Sequence, residues 1–489
     1  MRNMNRQNFS ISIIIIIILT TFAMIIFGDI FIEQGFALHL SITNLSEPLN
    51  LKSIVSNDLL NIEDILFYKD NLYLLGTISN SIAENTTDII LIKSKDNGNS
   101  FTTDYLNLSN NNKNSTNPVV AISGSNLYAA WTDYSTGNGD IYFVVIKDNG
   151  TTLTTPIVLG DNNILKEYDP KIAISRNNVF VSWITDNNNN TTSDIYVSAS
   201  TNNGTDFGKS INVSNNSKTN EFASNQSVYA YDKNVYILWE NRNEYANPSS
   251  RILFSGNTTN GITFQDTKIL SNNNSNAYNP GFASYLNNIY VMWQEQPFGD
   301  LSFKRSIDNG SSFEATKKIS NKKSNSSYFK MDAFGNNVYI VWTNTTYSNS
   351  SVLFKRSTDN GLSFGSNFSI MKLNNNSDQK ANNLDMATSG QYVNIIWKEK
   401  EKDNQLFFIR SKSYGDFYSS IANATSMLTL SSDNDISSDN DIIDSPRIFA
   451  GYGNSDYPNS GVYLTWREFE SNGHIKGVYF TRGNEILSR

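Results

Sequence analysis

One short motif returns along this chain at a spacing of about fifty residues, and this periodicity constrains the fold more than any other feature. Its clearest copies occupy residues 94–101, 306–313 and 357–364, where Ser, Asp, Asn, Gly, Ser and Phe recur in the same order. Weaker copies centre on Gly150, Gly204, Gly261 and Gly415. A regular period of this length indicates a β-propeller or a solenoid, in which each repeat is one supersecondary unit.

Residues 118–160 show the strand pattern within one repeat. Short apolar runs at 119–123, 126–131, 141–145 and 156–159 are separated by polar turns. Four such runs are typical of a four-stranded antiparallel sheet. The second run ends on glycine at Gly76 in the first copy and on tryptophan in the other seven, at Trp131, Trp183, Trp239, Trp293, Trp342, Trp397 and Trp466. We expect these large rings to fill the space between neighbouring sheets.

The two ends of the repeat region are expected to meet. The last copy, from residue 446, ends after its third strand, and residues 48–54 resemble the fourth strand of the other copies. A strand supplied from the N-terminal side would complete the last sheet and leave no open edge. The sequence therefore predicts an all-β fold, a β-propeller of four-stranded antiparallel blades. Eight blades are expected, or seven if one terminal copy is irregular, in one domain over residues 38–489 that we expect to be monomeric.

The first 37 residues predict export. Arg2 and Arg6 precede an uncharged, apolar stretch at 8–28, and this order is typical of an export signal. A cleaved signal peptide and a membrane anchor both remain open, since the stretch is long enough to span a bilayer. In either case the rest of the chain lies outside the cytoplasm, with membrane contact only through this segment. Glycan-acceptor sequons fit that location, among them Asn44, Asn85, Asn107, Asn212, Asn344 and Asn423.

Composition excludes several classes of function. The chain has no cysteine, so disulfides and thiolate metal sites are excluded. Its net charge of -8 argues against nucleic acid as a partner, because phosphate binding requires a basic surface. His39 and His474 are the only histidines, which is too few for a histidine-based zinc site.

The repeated motif is an Asp-box, and with the preceding Tyr-x-x-Trp strands it makes the chain resemble the sialidase-like (BNR-repeat) superfamily over nearly its whole exported length. The motif itself predicts a compact turn, in which the Asp accepts backbone N–H groups and the Gly supplies a positive φ. Asn202 and Thr259 replace the Asp in two copies, as expected for a structural turn residue. The superfamily contains true sialidases and many non-catalytic propellers, so the resemblance leaves the activity open.

A sialidase of this superfamily would need three arginines converging on a carboxylate. The family's first arginine motif, ahead of the first Asp-box, is absent here, since no arginine occurs between Arg6 and Arg176. Four arginines recur at the end of the third strand, which favours a scaffold role: Arg305, Arg356, Arg410 and Arg482. Arg242, Arg447 and Arg467 lie off the repeat and are the candidate catalytic residues, because guanidinium groups bind carboxylates bidentately.

Acidic residues also recur just after the tryptophans, at Asp133, Glu240, Glu295, Glu399 and Glu468. Two such carboxylates facing each other would suit glycoside hydrolysis. A recurring position instead favours a ring of acids near the loop base, solvated or bonded to backbone.

The loops between the second and third strands differ most from copy to copy. They emerge on the face opposite the Asp-boxes, and binding residues concentrate on variable loops. The aromatic candidates on them are Tyr134, Tyr245, Phe298 and Tyr347. We therefore expect a non-catalytic binding module for glycans or cell-surface proteins. A sialidase-type hydrolase and a structural component of the cell envelope are the alternatives.

An acidic insertion at about 431–445 precedes the last copy. Its spacing of oxygen ligands echoes that of a calcium loop, with candidate ligands Asp433, Asp435, Ser437, Asp439, Asp441 and Asp444. The expected sixth-position glycine is Ser438, and an acidic disordered segment is the other interpretation. Calcium is the only cofactor that the sequence suggests.

Overall fold

The described part of the protein is a single unit from residue 46 to residue 483 in a computed structural model. Within it the description omits residues 47, 56–59, 70, 82–85, 161–164, 188–190, 217–219, 244, 247, 258, 262, 273, 298, 321–324, 346–349, 365–370, 373–379, 401–404, 412, 416–427, 430–441, 451–460 and 470–474. The predicted signal or anchor, residues 1–37, lies outside the described residues. No helix of the described part is both long and apolar enough to cross a membrane.

The described residues form thirty-three strands and one short helix, and their order follows the predicted repeat. Before the first repeat come β1 (Leu49–Asn50) and α1 (Lys52–Val55). Repeat 1 contains β2 (Leu60–Tyr68), β3 (Asn71–Ser81), β4 (Thr86–Ser94) and β5 (Leu106–Asn107). Repeat 2 contains β6 (Ser115–Ser123), β7 (Asn126–Asp133), β8 (Asp140–Lys147), β9 (Thr152–Leu153) and β10 (Ile157–Val158). Repeat 3 contains β11 (Lys166–Ser175), β12 (Asn178–Asp186), β13 (Ser193–Ser200) and β14 (Ile211–Asn212). Repeat 4 contains β15 (Phe222–Tyr231), β16 (Asn234–Arg242), β17 (Ser250–Asn257) and β18 (Lys268–Ile269).

The second half of the chain continues the same order. Repeat 5 contains β19 (Ala277–Tyr285), β20 (Asn288–Glu295), β21 (Asp300–Ser306) and β22 (Lys317–Lys318). Repeat 6 contains β23 (Asn325–Phe334), β24 (Asn337–Thr345), β25 (Ser350–Ser357) and β26 (Met371–Lys372). Repeat 7 contains β27 (Lys380–Ser389), β28 (Tyr392–Lys400), β29 (Gln405–Ser411) and β30 (Leu428–Thr429). Repeat 8 contains β31 (Ile442–Ala450), β32 (Val462–Phe469) and β33 (Ile475–Gly483).

Within each repeat, neighbouring strands pair antiparallel in chain order, except that β9 and β10 of repeat 2 both pair with β8. Repeats 3 and 4 are joined into one eight-stranded sheet by a single parallel pair between Ser193 and Phe222. The first strands of successive repeats contact one another, and β31 of repeat 8 contacts β2 of repeat 1. The eight first strands thus form a continuous circuit of contacts, with the short fourth strands farthest from it.

The N-terminal side supplies the missing strand of the last repeat. Leu49 lies opposite Phe480 and Asn50 opposite Tyr479, so β1 pairs antiparallel with β33. The strand is shorter than predicted, because residues 52–55 turn into α1 instead of continuing extended. The Asn50 side chain accepts the Lys52 backbone N–H at 3.1 Å, which caps the helix. Leu51 then lies fully buried in the core shared by repeats 8 and 1.

The tryptophan prediction is confirmed. All seven tryptophan side chains are among the largest fully buried groups of the protein. Each core cluster joins two successive repeats; Trp293, for example, packs with Leu238, Ile252 and Phe254 of repeat 4. The second strands that carry these rings are buried on both faces, which explains their continuous apolar runs.

The Asp-boxes form the predicted turns, as the copy in repeat 5 shows. Asp308 Oδ1 accepts the Ser312 backbone N–H at 2.9 Å, and Ser306 Oγ accepts that of Gly310 at 2.9 Å. Gly310 has φ of +75°, and a Cβ there would lie 2.6 Å from Phe254 Cζ of the preceding repeat. The glycine therefore serves both the turn and the packing of one repeat on the next. In repeat 3, Asn202 Oδ1 makes the equivalent bond to the Asp206 N–H at 3.0 Å.

Candidate functional site

The acids two positions after a tryptophan are structural. Asp133 Oδ2 accepts the Trp131 indole N–H at 2.9 Å, Glu295 that of Trp293 at 3.1 Å, and Glu468 that of Trp466 at 2.9 Å. All three acids are buried. The sequence analysis expected these acids to be solvated or bonded to backbone. Instead, each is buried and accepts a hydrogen bond from an indole. Where this position is not acidic, the buried indole nitrogens of Trp183, Trp239 and Trp342 lack a hydrogen-bond partner among the described residues. The side chain of Glu399 lies outside the described residues.

The recurring arginines connect neighbouring repeats through the Asp-boxes. Arg305 Nη1 of repeat 5 donates to the carbonyl oxygens of Asp359 at 3.1 Å and Asn360 at 2.8 Å, both in the Asp-box of repeat 6. Arg356 donates in the same way to the Asp-box turn of repeat 7. Arg482 of repeat 8 donates to the Asn97 carbonyl of repeat 1 at 2.9 Å. Arg410 lies over the Tyr392 ring at 4.1 Å. All four guanidinium groups therefore contact other parts of the fold.

The three candidate catalytic arginines lie on two repeats that are not neighbours. Arg242 ends β16 of repeat 4, and its guanidinium binds buried Glu240 at 3.0 Å. Arg447 is on β31 and Arg467 on β32, both in repeat 8. Arg447 is exposed, whereas the Arg467 guanidinium lies 5.3 Å from the Phe469 ring centre. Three repeats separate the Arg242 repeat from the other two arginines in either direction around the circuit.

The predicted calcium loop is largely outside the described residues. Asp433, Asp435, Ser437, Asp439 and Asp441 all fall there, so the calcium prediction stays open. The sixth candidate, Asp444, lies within β31, opposite Arg467 of β32. Elsewhere, no group of three or more acidic or histidine side chains is placed to hold a metal ion within the described residues.

Two of the four aromatic candidates on the variable loops lie within the described residues. The Tyr245 ring is 96% exposed, between β16 and β17. Tyr134 is half-buried after β7. Phe298 and Tyr347 fall outside the described residues. A fully exposed tyrosine presents an apolar ring and a hydroxyl to an incoming partner.

A second set of solvent-accessible side chains, four of them exposed and two half-buried, lies beside these loops and was missed by the sequence prediction. Every first strand carries a β-bulge near its start. In six repeats a bulge residue has positive φ: Asn117, Asp169, Asn225, Asn279, Tyr328 and Asn383. Bulges redirect side chains and are common beside active sites. We call these six residues the inner rim, since they lie on the strands that form the central circuit, at the end where the variable loops emerge. The recurrent Asn-Pro or Asp-Pro inside the first strand, as at Asn117-Pro118, was the available signal.

Two buried polar side chains hold part of the inner rim. Glu240 is 0% exposed, and its Oε2 accepts Asn225 Nδ2 at 3.0 Å and the Asn279 backbone N–H at 3.1 Å. At the matching position of repeat 5, Gln294 Oε1 accepts Asn279 Nδ2 at 2.6 Å, and Gln294 Nε2 donates to the Ser326 carbonyl of repeat 6. Glu240 and Gln294 immediately follow their tryptophans, so they face away from the acids that bind indoles. The rim is thereby fixed across repeats 4, 5 and 6.

Deeper on the first strands, four charged residues alternate in sign over repeats 6, 7, 8 and 1. They are Lys330, Asp385, Arg447 and Asp64, all at one repeat position. Lys330 Nζ lies 3.1 Å from Asp385 Oδ1, and Asp385 Oδ2 accepts the Ile448 N–H at 3.2 Å. Burial raises the pKa of Asp64 to about 6, opposed by its bond from the Ile65 N–H and by the charge of Arg447. The two basic and two acidic residues of these four repeats therefore balance one another in formal charge.

The raised pKa of Asp64 predicts a pH-dependent stability. The folded protein binds the Asp64 proton more tightly than the unfolded chain, so stability falls as pH rises from about 4 through about 6. We expect Asp64→Asn to raise the melting temperature at about pH 8 more than at about pH 4. The carboxamide keeps the bond from the Ile65 N–H, which Asp64 Oδ1 accepts at 2.8 Å.

Asp308→Asn is the matched control, because its effect on stability should depend on pH in the opposite direction. Burial alone would raise the pKa of Asp308, but hydrogen bonds from Ser312 and Ser306 outweigh it and the pKa is lowered. This variant should therefore lose relative stability at high pH. Equal effects of Asp64→Asn at both pH values, read from melting curves, would contradict the assignment.

Comparisons with known proteins concern the fold. No family model and no curated protein matches the chain. Among solved structures, a protein of unknown function from Dyadobacter fermentans is 12% identical, with a TM-score of 0.40, over 62% of this chain and 95% of that one. The polysaccharide lyase Uly1 is 9% identical, with a TM-score of 0.44, over 73% and 90%. The β-propeller domain of the Trilobed protease from Pyrococcus furiosus, described as having an open velcro topology, is 7% identical, with a TM-score of 0.43, over 74% and 98%.

Proposed function

We propose that the eight repeats are the blades of one closed β-propeller of the sialidase-like, Asp-box type. The circuit of first strands supports this arrangement, since it returns from β31 to β2. The pairing of β1 with β33 supports closure, as does the Arg482 bond from repeat 8 to the Asp-box of repeat 1. Each of the eight repeats has its own antiparallel strands, which favours eight blades over seven.

This propeller is a non-catalytic binding module for glycans or cell-surface proteins. The observation that carries the proposal is the use of the recurring acids and arginines within the scaffold. Asp133, Glu295 and Glu468 bind indoles, and Arg305, Arg356 and Arg482 bind the next Asp-box. The groups exposed on the opposite face include amides and tyrosines, among them Asn225, Asn279, Tyr328 and Tyr245, which suit recognition more than acid–base chemistry.

The module acts outside the cytoplasm. Arg2 and Arg6 followed by the apolar stretch at 8–28 support export, as either a secreted or an anchored protein. Residues from about 38 onward then face the outside, where glycans and surface proteins are available partners.

The test uses the full chain against an oligosaccharide array and against intact cells before and after removal of surface glycans or proteins. We expect saturable binding to cells, together with no release of sugar when sialylated and neutral oligosaccharides are followed by mass spectrometry. Tyr245→Ser reports whether the variable loops take part, since the Tyr245 side chain has little packing to lose. Release of a terminal sugar would overturn the non-catalytic assignment, and absence of any binding would overturn the binding role.

A further inference from the structure

We propose that the inner rim of repeats 4, 5 and 6, formed by Asn225, Asn279 and Tyr328, is a binding site for uncharged sugar residues. This inference rests on the proposed binding function and specifies its ligand and its site. The three side chains occupy the bulge position of consecutive repeats and are exposed, with Tyr328 at 56%. No catalytic step is involved.

The two asparagines are held in place before any ligand arrives. Each uses one amide N–H on a buried acceptor, Asn225 on Glu240 and Asn279 on Gln294. An amide has two N–H donors and a carbonyl with two lone pairs. Each side chain therefore keeps a donor and an acceptor for a ligand, and its orientation costs no further entropy on binding.

Tyr328 is positioned by its neighbour in sequence. Phe329 packs so closely over Gly281 of repeat 5 that a Cβ on Gly281 would lie 2.4 Å from Phe329 Cε2. Gly281 is two residues from Asn279, and Gln294 also bonds to the Ser326 carbonyl of the Tyr328 strand. These contacts hold the backbone on either side of Tyr328 against the repeat that carries Asn279, while the Tyr328 side chain is exposed.

The chemistry of the site matches a neutral sugar. Hydroxyl groups donate and accept hydrogen bonds, as the paired amides require, and an exposed phenol ring offers an apolar face to the C–H face of a pyranose. Charged groups on these strands are paired: the Glu240 carboxylate is bound by the Arg242 guanidinium at 3.0 Å, and Lys330 Nζ lies 3.1 Å from Asp385 Oδ1. An anionic sugar therefore gains no net attraction at this part of the rim.

The experiment is calorimetric titration of the full chain with neutral oligosaccharides of hexose and N-acetylhexosamine, alongside their sialylated forms. Tyr328→Ala and Asn279→Ala are each expected to weaken the binding of a neutral oligosaccharide about tenfold, the equivalent of losing one stacking or hydrogen-bonding contact. Tyr328→Phe, which keeps the ring, should bind within a few-fold of the parent. Melting curves show whether each variant is still folded. Tyr328→Ala is the less disruptive of the two, because the Tyr328 side chain is exposed and not part of the core.

Asn117→Ala is the matched control. Asn117 occupies the same bulge position in repeat 2 with the same left-handed backbone, and its exposed side chain makes no hydrogen bond within the described part of the chain. Its replacement should leave binding unchanged. Neutral-sugar binding that survives both Tyr328→Ala and Asn279→Ala would overturn this site while leaving the binding function intact. Binding to protein-bearing cells without any affinity for neutral sugars would overturn it as well. Failure to bind either class would overturn the proposed function itself.

Discussion

Replacement of Trp293 by alanine is expected to lower the free energy of unfolding by about 3–5 kcal/mol. The Trp293 ring is fully buried in the core between repeats 4 and 5, against Leu238, Ile252 and Phe254. Its removal leaves a cavity that the surrounding strands cannot fill without breaking their ladders. It also removes the indole N–H from the buried Glu295 carboxylate. Chemical denaturation of the parent and the variant measures the difference.

Trp293→Phe separates the two contributions. Phenylalanine keeps most of the apolar contact but supplies no donor to Glu295, so its cost should be well below that of alanine. An unchanged denaturation midpoint for Trp293→Ala would refute packing between repeats as the role of the tryptophan column.

Replacement of Arg305 by methionine is expected to cost about 2–3 kcal/mol. The Arg305 side chain is 8% exposed, and it donates to two carbonyl oxygens in the Asp-box of repeat 6 and to Glu314 at 2.7 Å. Methionine preserves much of the apolar stem but leaves those carbonyls without their charged donor. The loss should appear in the denaturation midpoint.

Glu314→Gln is the comparison that isolates the inter-repeat bonds. Glu314 is 38% exposed, so loss of its charge should cost less than about 1 kcal/mol. If Arg305→Met costs no more than Glu314→Gln, the arginine column does not hold successive repeats together.

Periodicity allowed much of the fold to be predicted from the sequence. Apolar runs ending in tryptophan placed the second strands, and Gly310 and its equivalents placed the turns. These features repeat, so each copy corroborates the others. The short β1 was recognisable from its likeness to other fourth strands, but α1 was not. The cap that Asn50 provides and the burial of Leu51 outweigh the extended pattern of residues 52–54.

The site was harder to predict because it depends on which face of its strand each side chain lies on. Glu240 comes one residue after its tryptophan, whereas Glu295 comes two residues after its own. This one-residue difference sends Glu295 to its own indole and Glu240 to the rim asparagines. The bulges were missed because one extra residue barely alters the pattern of a strand. The role of the variable loops stays a prediction, and of their aromatic candidates Tyr134 and Tyr245 lie within the described residues.

The proposed eight-bladed propeller requires the ring of repeats to close between repeat 8 and the N-terminal strand β1. The most direct test is a disulfide across the closure. Opposed residues of an antiparallel pair have Cα atoms about 4.5–5.5 Å apart, within the roughly 4.4–6.8 Å that a disulfide spans. The chain has no cysteine of its own, so an introduced pair is unambiguous.

The measurement is disulfide formation in the double variant Asn50→Cys/Tyr479→Cys, read by mass spectrometry after alkylation. Asn50 and Tyr479 are directly opposite in the register of β1 and β33, so the pair is expected to oxidise nearly completely in the folded protein. The variant Asn50→Cys/Phe480→Cys, shifted by one residue, points its second cysteine to the other face and should stay reduced. Failure of the first pair to form, or equal formation of both, would contradict a ring closed by the N-terminal strand.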